Sequence, residues 1–164
     1  MKRTLIVMRH AKTEEQKENQ TDFERNLTDR GKNNAALMAE RLADKGYHPD
    51  TILTSSANRT EQTTEIFIKS GKFTGAKKIS IKELYHATPD KMETAIMSVS
   101  DDVKTLMIVG HNPGISEFVY DCNSKAITAS MPTSAIAIFT FTAANWQTFT
   151  TAKKTLELYD YPKK

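Results

Sequence analysis

The sequence predicts an α/β fold, a three-layer sandwich with a mainly parallel central sheet and helices on both faces. Short apolar segments rich in β-branched residues occur at 4–8, 51–54 and 105–109, and each is typical of a buried strand. Segments with apolar residues at helical spacing separate them. Because strands that alternate with helices are usually joined by crossovers, the alternation favours parallel pairing.

The helices are predicted from apolar spacing and from residues at their ends. The first covers about 28–46, where Ala, Met and Leu recur at helical spacing before a glycine. Ser55 is placed to cap the second, and Pro89 suits the first turn of the third. Asn112 and Pro113 predict the N-cap and first residue of a fourth helix.

Three further strands and one long loop complete the prediction. A strand is expected at 78–81, a clear one at 135–141, and a weaker one at roughly 146–158. The last two could pair partly antiparallel. Residues 11–27 are polar and carry no apolar stripe, which predicts a loop; loops of this length in compact domains are often functional.

Composition narrows the class of protein. The 164 residues show no internal boundary, which predicts a single domain over 1–164. The net charge is only +3 with scattered basic residues, so nucleic-acid binding is not expected. No signal peptide or membrane-spanning run is visible. The lone Cys122 permits no internal disulfide, and we expect a cytoplasmic monomer.

Polar clusters follow three of the predicted strands. They are Arg9-His10, the segment 55–59 and the segment 110–112. Ligands of open α/β sheets bind beyond the carboxyl ends of the strands, and those ends meet at one edge when the strands are parallel. The topology therefore predicts that the three clusters lie close together.

The clusters favour phosphoryl transfer without a metal or other cofactor. Arg9 and Arg59 can bind phosphate oxygens bidentately. An arginine in the first turn of a helix, as predicted for Arg59, opposes the helix dipole unless an anion is also bound there. His10 and His111 taken singly could be structural, but together with the arginines they suggest a site for a phosphoryl group. A metal site is less consistent, because no carboxylate or cysteine accompanies either histidine and the arginines would repel a cation.

Four segments resemble, in the same order, the motifs of the histidine phosphatase superfamily, and most closely those of its small SixA-type protein phosphohistidine phosphatases. The segments are Arg9-His10-Ala11, Leu27-Thr28-x-x-Gly31, Ser56-x-x-Arg59-Thr60-x-Gln62-Thr63 and Gly110-His111-Asn112-Pro113. The resemblance covers almost the whole chain, and it implies a phosphoglycerate mutase-like fold.

The resemblance also implies roles for these residues. His10 would be the nucleophile, and Arg9 beside it would bind the phosphoryl group. Arg59 and His111 would stabilise the transferred group. In SixA-type members an arginine ahead of the Leu-Thr motif reaches the phosphate, and Arg25 holds that position here.

One position departs from the superfamily pattern, and the residue that would act as general acid is not fixed by it. Ala11 replaces the usual glycine of the first motif. Larger members carry a carboxylic acid after the third strand, where Glu83 lies, whereas SixA-type members lack a clear acid there. Asn112 and Glu83 are further candidates for substrate binding, and Tyr85 and His86 are candidates for the rim of the site.

The expected reaction is a two-step phosphatase mechanism through phosphorylated His10. The partner would be a phosphorylated protein or a small phosphorylated molecule. A missing acid favours phosphohistidine on a protein, because the P–N bond is labile, whereas a working Glu83 would favour small phosphate monoesters. A phosphoprotein-binding module without turnover is a further alternative.

Overall fold

The computed structural model describes residues 1–163 and shows one six-stranded sheet flanked by four helices. The strands are β1 (Lys2–Arg9), β2 (Thr51–Ser55), β3 (Lys77–Ile81), β4 (Thr105–Gly110), β5 (Ile136–Thr142) and β6 (Thr155–Asp160). The helices are α1 (Asp29–Asp44), α2 (Asn58–Gly71), α3 (Pro89–Met97) and α4 (Gly114–Cys122).

The strand order is β3-β2-β4-β1-β5-β6. The first four strands in this order pair in parallel, β5 is antiparallel to β1, and β6 is antiparallel to β5. The α/β class and the mainly parallel sheet are therefore confirmed, and so is antiparallel pairing at the C-terminal end.

The two faces of the sheet bury different helix pairs. Successive side chains of a strand point to opposite faces, and β1 illustrates this with four wholly buried residues. Ile6 and Met8 belong to the core that includes α1 and α2 residues Met38, Leu42 and Phe67. Leu5 and Val7 belong to the opposite core, which includes α3 and α4 residues Met92, Ile96, Ile115 and Phe118. This arrangement is the predicted three-layer sandwich.

The C-terminal strand differs from its prediction. It begins only at Thr155, and 149–151 form a 3-10 turn. The reason is that Trp146 and Phe149 are buried in the core that contains α3 and α4. The indole of Trp146 donates a hydrogen bond to the carbonyl of Val103, 2.8 Å away.

Two helix starts also differ from their predictions. Helix α4 begins at Gly114, one residue later than expected, and Pro113 occupies the N-cap position. Helix α2 is preceded by Ala57, and no side chain caps it. A Cβ on Gly114 would lie 2.0 Å from the carbonyl oxygen of Ala87, so only glycine permits this close approach of α4 to the segment before α3. Within residues 1–163, none of the helices has the length and apolar character needed to cross a membrane.

Candidate active site

A cavity of about 310 Å³ lies at the carboxyl edge of the parallel strands. The lining residues are Arg9, His10, Lys12, Thr13, Asp22, Arg25, Arg59, His86, His111, Asn112 and Thr133. The three strand-end clusters thus meet, as the topology predicts. Glu83 does not join them: it lies in an exposed 3-10 turn at 82–84 and is not part of the cavity lining.

His10 is buried directly after β1, and its backbone is held on two sides. Its N–H donates to the carbonyl of Gly110 at 3.1 Å, and its own carbonyl accepts from the N–H of Ser134 at 3.0 Å. The ring Nδ1 lies 2.8 Å from the carbonyl oxygen of Ala11. Because a carbonyl can only accept, Nδ1 carries the proton and Nε2 presents its lone pair.

The electrostatic surroundings keep His10 neutral. Burial is the main cause that lowers the pKa of His10 to about 3; the hydrogen bond to Ala11 opposes this shift, and the charges of nearby arginines add to it. A neutral imidazole with a free Nε2 is the form that can attack phosphorus.

Ala11 fits the place of the usual glycine without strain. It is not among the non-glycine residues with positive φ in residues 1–163. Its side chain is buried in a small cluster with Leu27 and Ala35. Its N–H donates to the hydroxyl oxygen of Thr63 at 3.0 Å, so the backbone beside His10 is tied to α2.

Three arginines surround the cavity. Arg59 is only 4% exposed, Arg25 comes from the long polar loop, and Arg9 is the last residue of β1. Arg9 donates to the carbonyl of Met131 at 3.0 Å, while its Nε has no partner within residues 1–163. Burial and the charge of Arg59 lower the pKa of Arg9, as expected where cations are brought together to meet an anion.

Asp22 joins two of these arginines and was not predicted from the sequence. Its carboxylate accepts from Arg59 at 2.9 Å and from Arg25 at 3.0 Å. The hydroxyl of Tyr85 donates to it at 2.6 Å, and Nε2 of His86 lies 3.3 Å away. Partial burial opposes its ionisation, but the hydrogen bonds from Tyr85, Arg25 and Arg59 outweigh it and hold the pKa of Asp22 well below the usual range. The one feature of the sequence that could have indicated Asp22 as a site residue is its position three residues before Arg25.

His111 is held by Ser55, which belongs to the predicted strand-end cluster 55–59 but was expected to act as a helix cap. Its Nε2 lies 2.8 Å from the hydroxyl oxygen of Ser55, which also accepts from the N–H of Ala57 at 3.4 Å. The Ser55 hydroxyl is therefore free to donate to Nε2, which leaves the ring proton of neutral His111 on Nδ1. Nδ1 has no partner in the described part of the chain.

The charge state of His111 matches this arrangement. Burial lowers the pKa of His111 to about 2, with smaller contributions from His10 and Arg59. The rings of His10 and His111 lie 5.3 Å apart. A neutral His111 can thus donate one hydrogen bond from Nδ1 without adding a charge.

Three other predicted residues lie at or near the rim of the cavity. Asn112 lines the cavity, but its side chain donates to the carbonyl of Met131 and accepts from Ser116, so it mainly fixes the loop. His86 is exposed and lines the cavity with its backbone in the left-handed region at φ 53°. Such strained positions cluster at functional sites. The ring of Tyr85 lies under the guanidinium of Arg59, and 5.9 Å separate the ring centroid from Cζ of Arg59.

Within residues 1–163, no three His, Cys, Asp or Glu side chains come together in a group that could hold a metal ion. Burial raises the pKa of the Cys122 thiol to about 12, which keeps it protonated.

The fold and this site define a class of enzyme. Residues 5–94 match the family model of the histidine phosphatase superfamily (branch 1), and the chain belongs to that superfamily. It is a histidine phosphatase, an enzyme that acts on a phosphorylated substrate.

Solved structures point to one type within this class. A protein of Agrobacterium tumefaciens that has been proposed to be the phosphohistidine phosphatase SixA has a TM-score of 0.85, with 27% identity and coverage of 98% of both chains. A second proposed SixA, from Nakamurella, has a TM-score of 0.83, with 25% identity and coverage of 99% of this chain and 97% of that one. A SixA structure with tungstate has a TM-score of 0.80 at 21% identity, covering 98% and 97%, and this similarity is one of fold.

Sequence relatives extend the comparison. An uncharacterized protein of Mycobacterium leprae is 30% identical over 153 residues, which cover 85% of this chain and 90% of that protein. An uncharacterized chloroplastic protein of Arabidopsis thaliana is 30% identical over 123 residues, which cover 70% of this chain and 56% of that protein. The chain therefore spans little more than half the length of the plant protein.

Proposed function

We propose that this protein removes the phosphoryl group from phosphohistidine on a partner protein, through a phosphorylated His10 and without a metal. The observation that carries the proposal is the neutral His10, whose Nε2 is free in a cavity with three arginines. The similarity to two structures proposed to be SixA phosphohistidine phosphatases supports the choice of substrate.

In the first step, Nε2 of His10 attacks phosphorus as the bond to the leaving group breaks. Negative charge on the phosphoryl oxygens is met by Arg9, Arg25 and Arg59. Nδ1 of His111 supplies a neutral hydrogen bond to the same group. The hydrogen bond from His10 Nδ1 to the Ala11 carbonyl stabilises the positive charge that develops on the ring.

In the second step, water attacks the phosphorus of phosphorylated His10, and the P–N bond breaks to release inorganic phosphate and neutral His10. The same cations stabilise this transition state. The enzyme therefore needs no separate site for the hydrolytic step.

The carboxyl groups near the cavity favour a P–N substrate. Asp22 lines the cavity but is held ionised by its hydrogen-bond donors, so it has no proton to give. Glu83 is exposed and outside the lining. An alkoxide leaving group needs an acid, whereas the imidazole of phosphohistidine is a much better leaving group.

The test compares phosphate release from a phosphohistidine-bearing domain with release from a panel of phosphate monoesters. We expect the phosphohistidine domain to have the highest kcat/KM. His10→Ala should abolish turnover and the acid-labile phosphoenzyme, while His48→Ala, an exposed histidine outside the cavity, should leave both unchanged. A higher kcat/KM for one of the monoesters would contradict the assignment of phosphohistidine as the substrate. Full turnover in His10→Ala would refute the mechanism, and binding without turnover in the wild type would favour the phosphoprotein-binding alternative.

A further inference from the structure

A second cavity, of about 280 Å³, adjoins the active-site cavity. Its lining residues are Lys12, Arg30, Asn34, Pro132, Thr133, Tyr161, Pro162 and Lys163. Lys12 and Thr133 belong to both linings, so the two cavities share a wall. We refer to the second one as the basic cavity.

The basic cavity carries uncompensated positive charge. Lys12, Arg30 and Lys163 line it, and among residues 1–163 no carboxylate side chain belongs to its lining. None of these three side chains forms an ion pair within residues 1–163. Three like charges around one cavity repel one another and favour the binding of an anion.

The walls of this cavity are fixed by the fold on both sides. On one side, the carbonyl of Lys12 accepts from the N–H of Thr28 at 3.0 Å, and a Cβ on Gly31 would lie 2.2 Å from that oxygen. On the other side, Arg41 of α1 donates to the carbonyls of Tyr161 and Pro162 at 3.1 and 3.2 Å. The C-terminal segment is thus tied to α1, and the cavity is a built feature of the surface.

We propose that the basic cavity binds acidic side chains of the polypeptide segment that carries the substrate phosphohistidine. This inference rests on the proposed function. A phosphoryl group in the first cavity and aspartate or glutamate side chains in the second could belong to one chain, because the cavities share Lys12 and Thr133. Such a contact selects a partner protein by charge and leaves the chemistry at His10 unchanged.

The test uses Arg30→Glu with Lys32→Glu as its matched control. Both residues are exposed on α1 and both variants change the net charge equally, but only Arg30 lines the basic cavity. The substrates are two phosphohistidine peptides, one flanked by acidic and one by neutral residues, with p-nitrophenyl phosphate as a reference. Arg30→Glu should raise KM for the acidic peptide about 10-fold with kcat unchanged, and raising the salt concentration should reduce the difference from wild type.

The other substrates and the control variant decide the outcome. KM for the neutral peptide and for p-nitrophenyl phosphate should change less than about twofold in Arg30→Glu. Equal effects on both peptides, or an equal effect of Lys32→Glu, would overturn the proposal because they would show a long-range charge effect without a binding site.

Failure of the proposed function can be recognised separately. If the wild type releases no phosphate from either peptide, phosphohistidine is not the substrate. Binding of the unphosphorylated acidic peptide, followed by fluorescence anisotropy, still tests the basic cavity: weaker binding in Arg30→Glu than in Lys32→Glu supports it, and equal binding overturns it.

Discussion

Ser55→Ala removes the only side chain within the described residues that forms a hydrogen bond with the ring of His111. The hydroxyl lies 2.8 Å from Nε2 of a histidine that is only 2% exposed. Without it, Nε2 is buried with no partner, and the ring can turn or change its tautomer so that Nδ1 no longer presents a proton to the phosphoryl group. Ser55 is a positioning residue in this scheme.

The size of the effect follows from burial. Leaving a buried polar group unpaired costs about 1–3 kcal/mol, and about 1.4 kcal/mol corresponds to a tenfold change in rate. We expect kcat/KM for p-nitrophenyl phosphate to fall between about fivefold and about a hundredfold in Ser55→Ala. Ser56→Ala is the matched control, because Ser56 is the next residue and its hydroxyl contacts Ser80 at 3.1 Å, away from the cavity lining.

Two measurements separate positioning from a general loss of structure. The ¹⁵N chemical shifts of the His111 ring should change in Ser55→Ala and stay unchanged in Ser56→Ala, and both variants should keep a cooperative thermal transition. A folded Ser55→Ala variant with kcat/KM within twofold of the wild type would refute the role assigned to Ser55 and the tautomer assigned to His111.

Two further predictions concern a cation and the buried histidines. Arg25→Ala should lower kcat/KM about tenfold or more, because the variant lacks one of the cations that stabilise the phosphoryl group. Its thermal stability should change little, since Arg25 lies in a polar loop. Lys17→Ala, in the same loop and outside the cavity, is the control. The pKa values of His10 and His111 lie below those of unfolded histidine, about 6.5. The unfolded chain therefore binds more protons, and the free energy of unfolding should fall by up to about 1.4 kcal/mol per pH unit per histidine as the pH drops below about 6.5. Urea unfolding between pH 7 and pH 5 measures this slope, which should decrease in His10→Asn and persist in His48→Gln.

The strand-end residues could be predicted because topology alone places them. Arg9 ends β1 and His111 directly follows β4, and these two strands pair in parallel, so the proximity of the two residues follows from the order of elements. Arg25 was found only through the family resemblance, since a polar loop carries no periodicity that shows where it folds. Its placement in the cavity agrees with that resemblance.

Other features depended on side-chain contacts that no spacing encodes. Asp22 reaches the site from a 3-10 turn in the long loop, and Ser55 turns from the expected capping position towards His111. Glu83 was expected near the site because it follows the third strand, but the chain forms an exposed turn there and brings His86 to the rim. The last strand was placed too early because the buried Trp146 breaks the alternation.

The carboxylate of Asp22 has a consequence for turnover. With His10 and His111 neutral, Asp22 lowers the charge of the four cations in the cavity lining, Arg9, Lys12, Arg25 and Arg59, from +4 to +3. Asp22 keeps the guanidinium groups of Arg25 and Arg59 in place in the empty enzyme. Without this carboxylate the arginines would hold inorganic phosphate more tightly after hydrolysis, so Asp22 also limits how strongly the product can inhibit the enzyme.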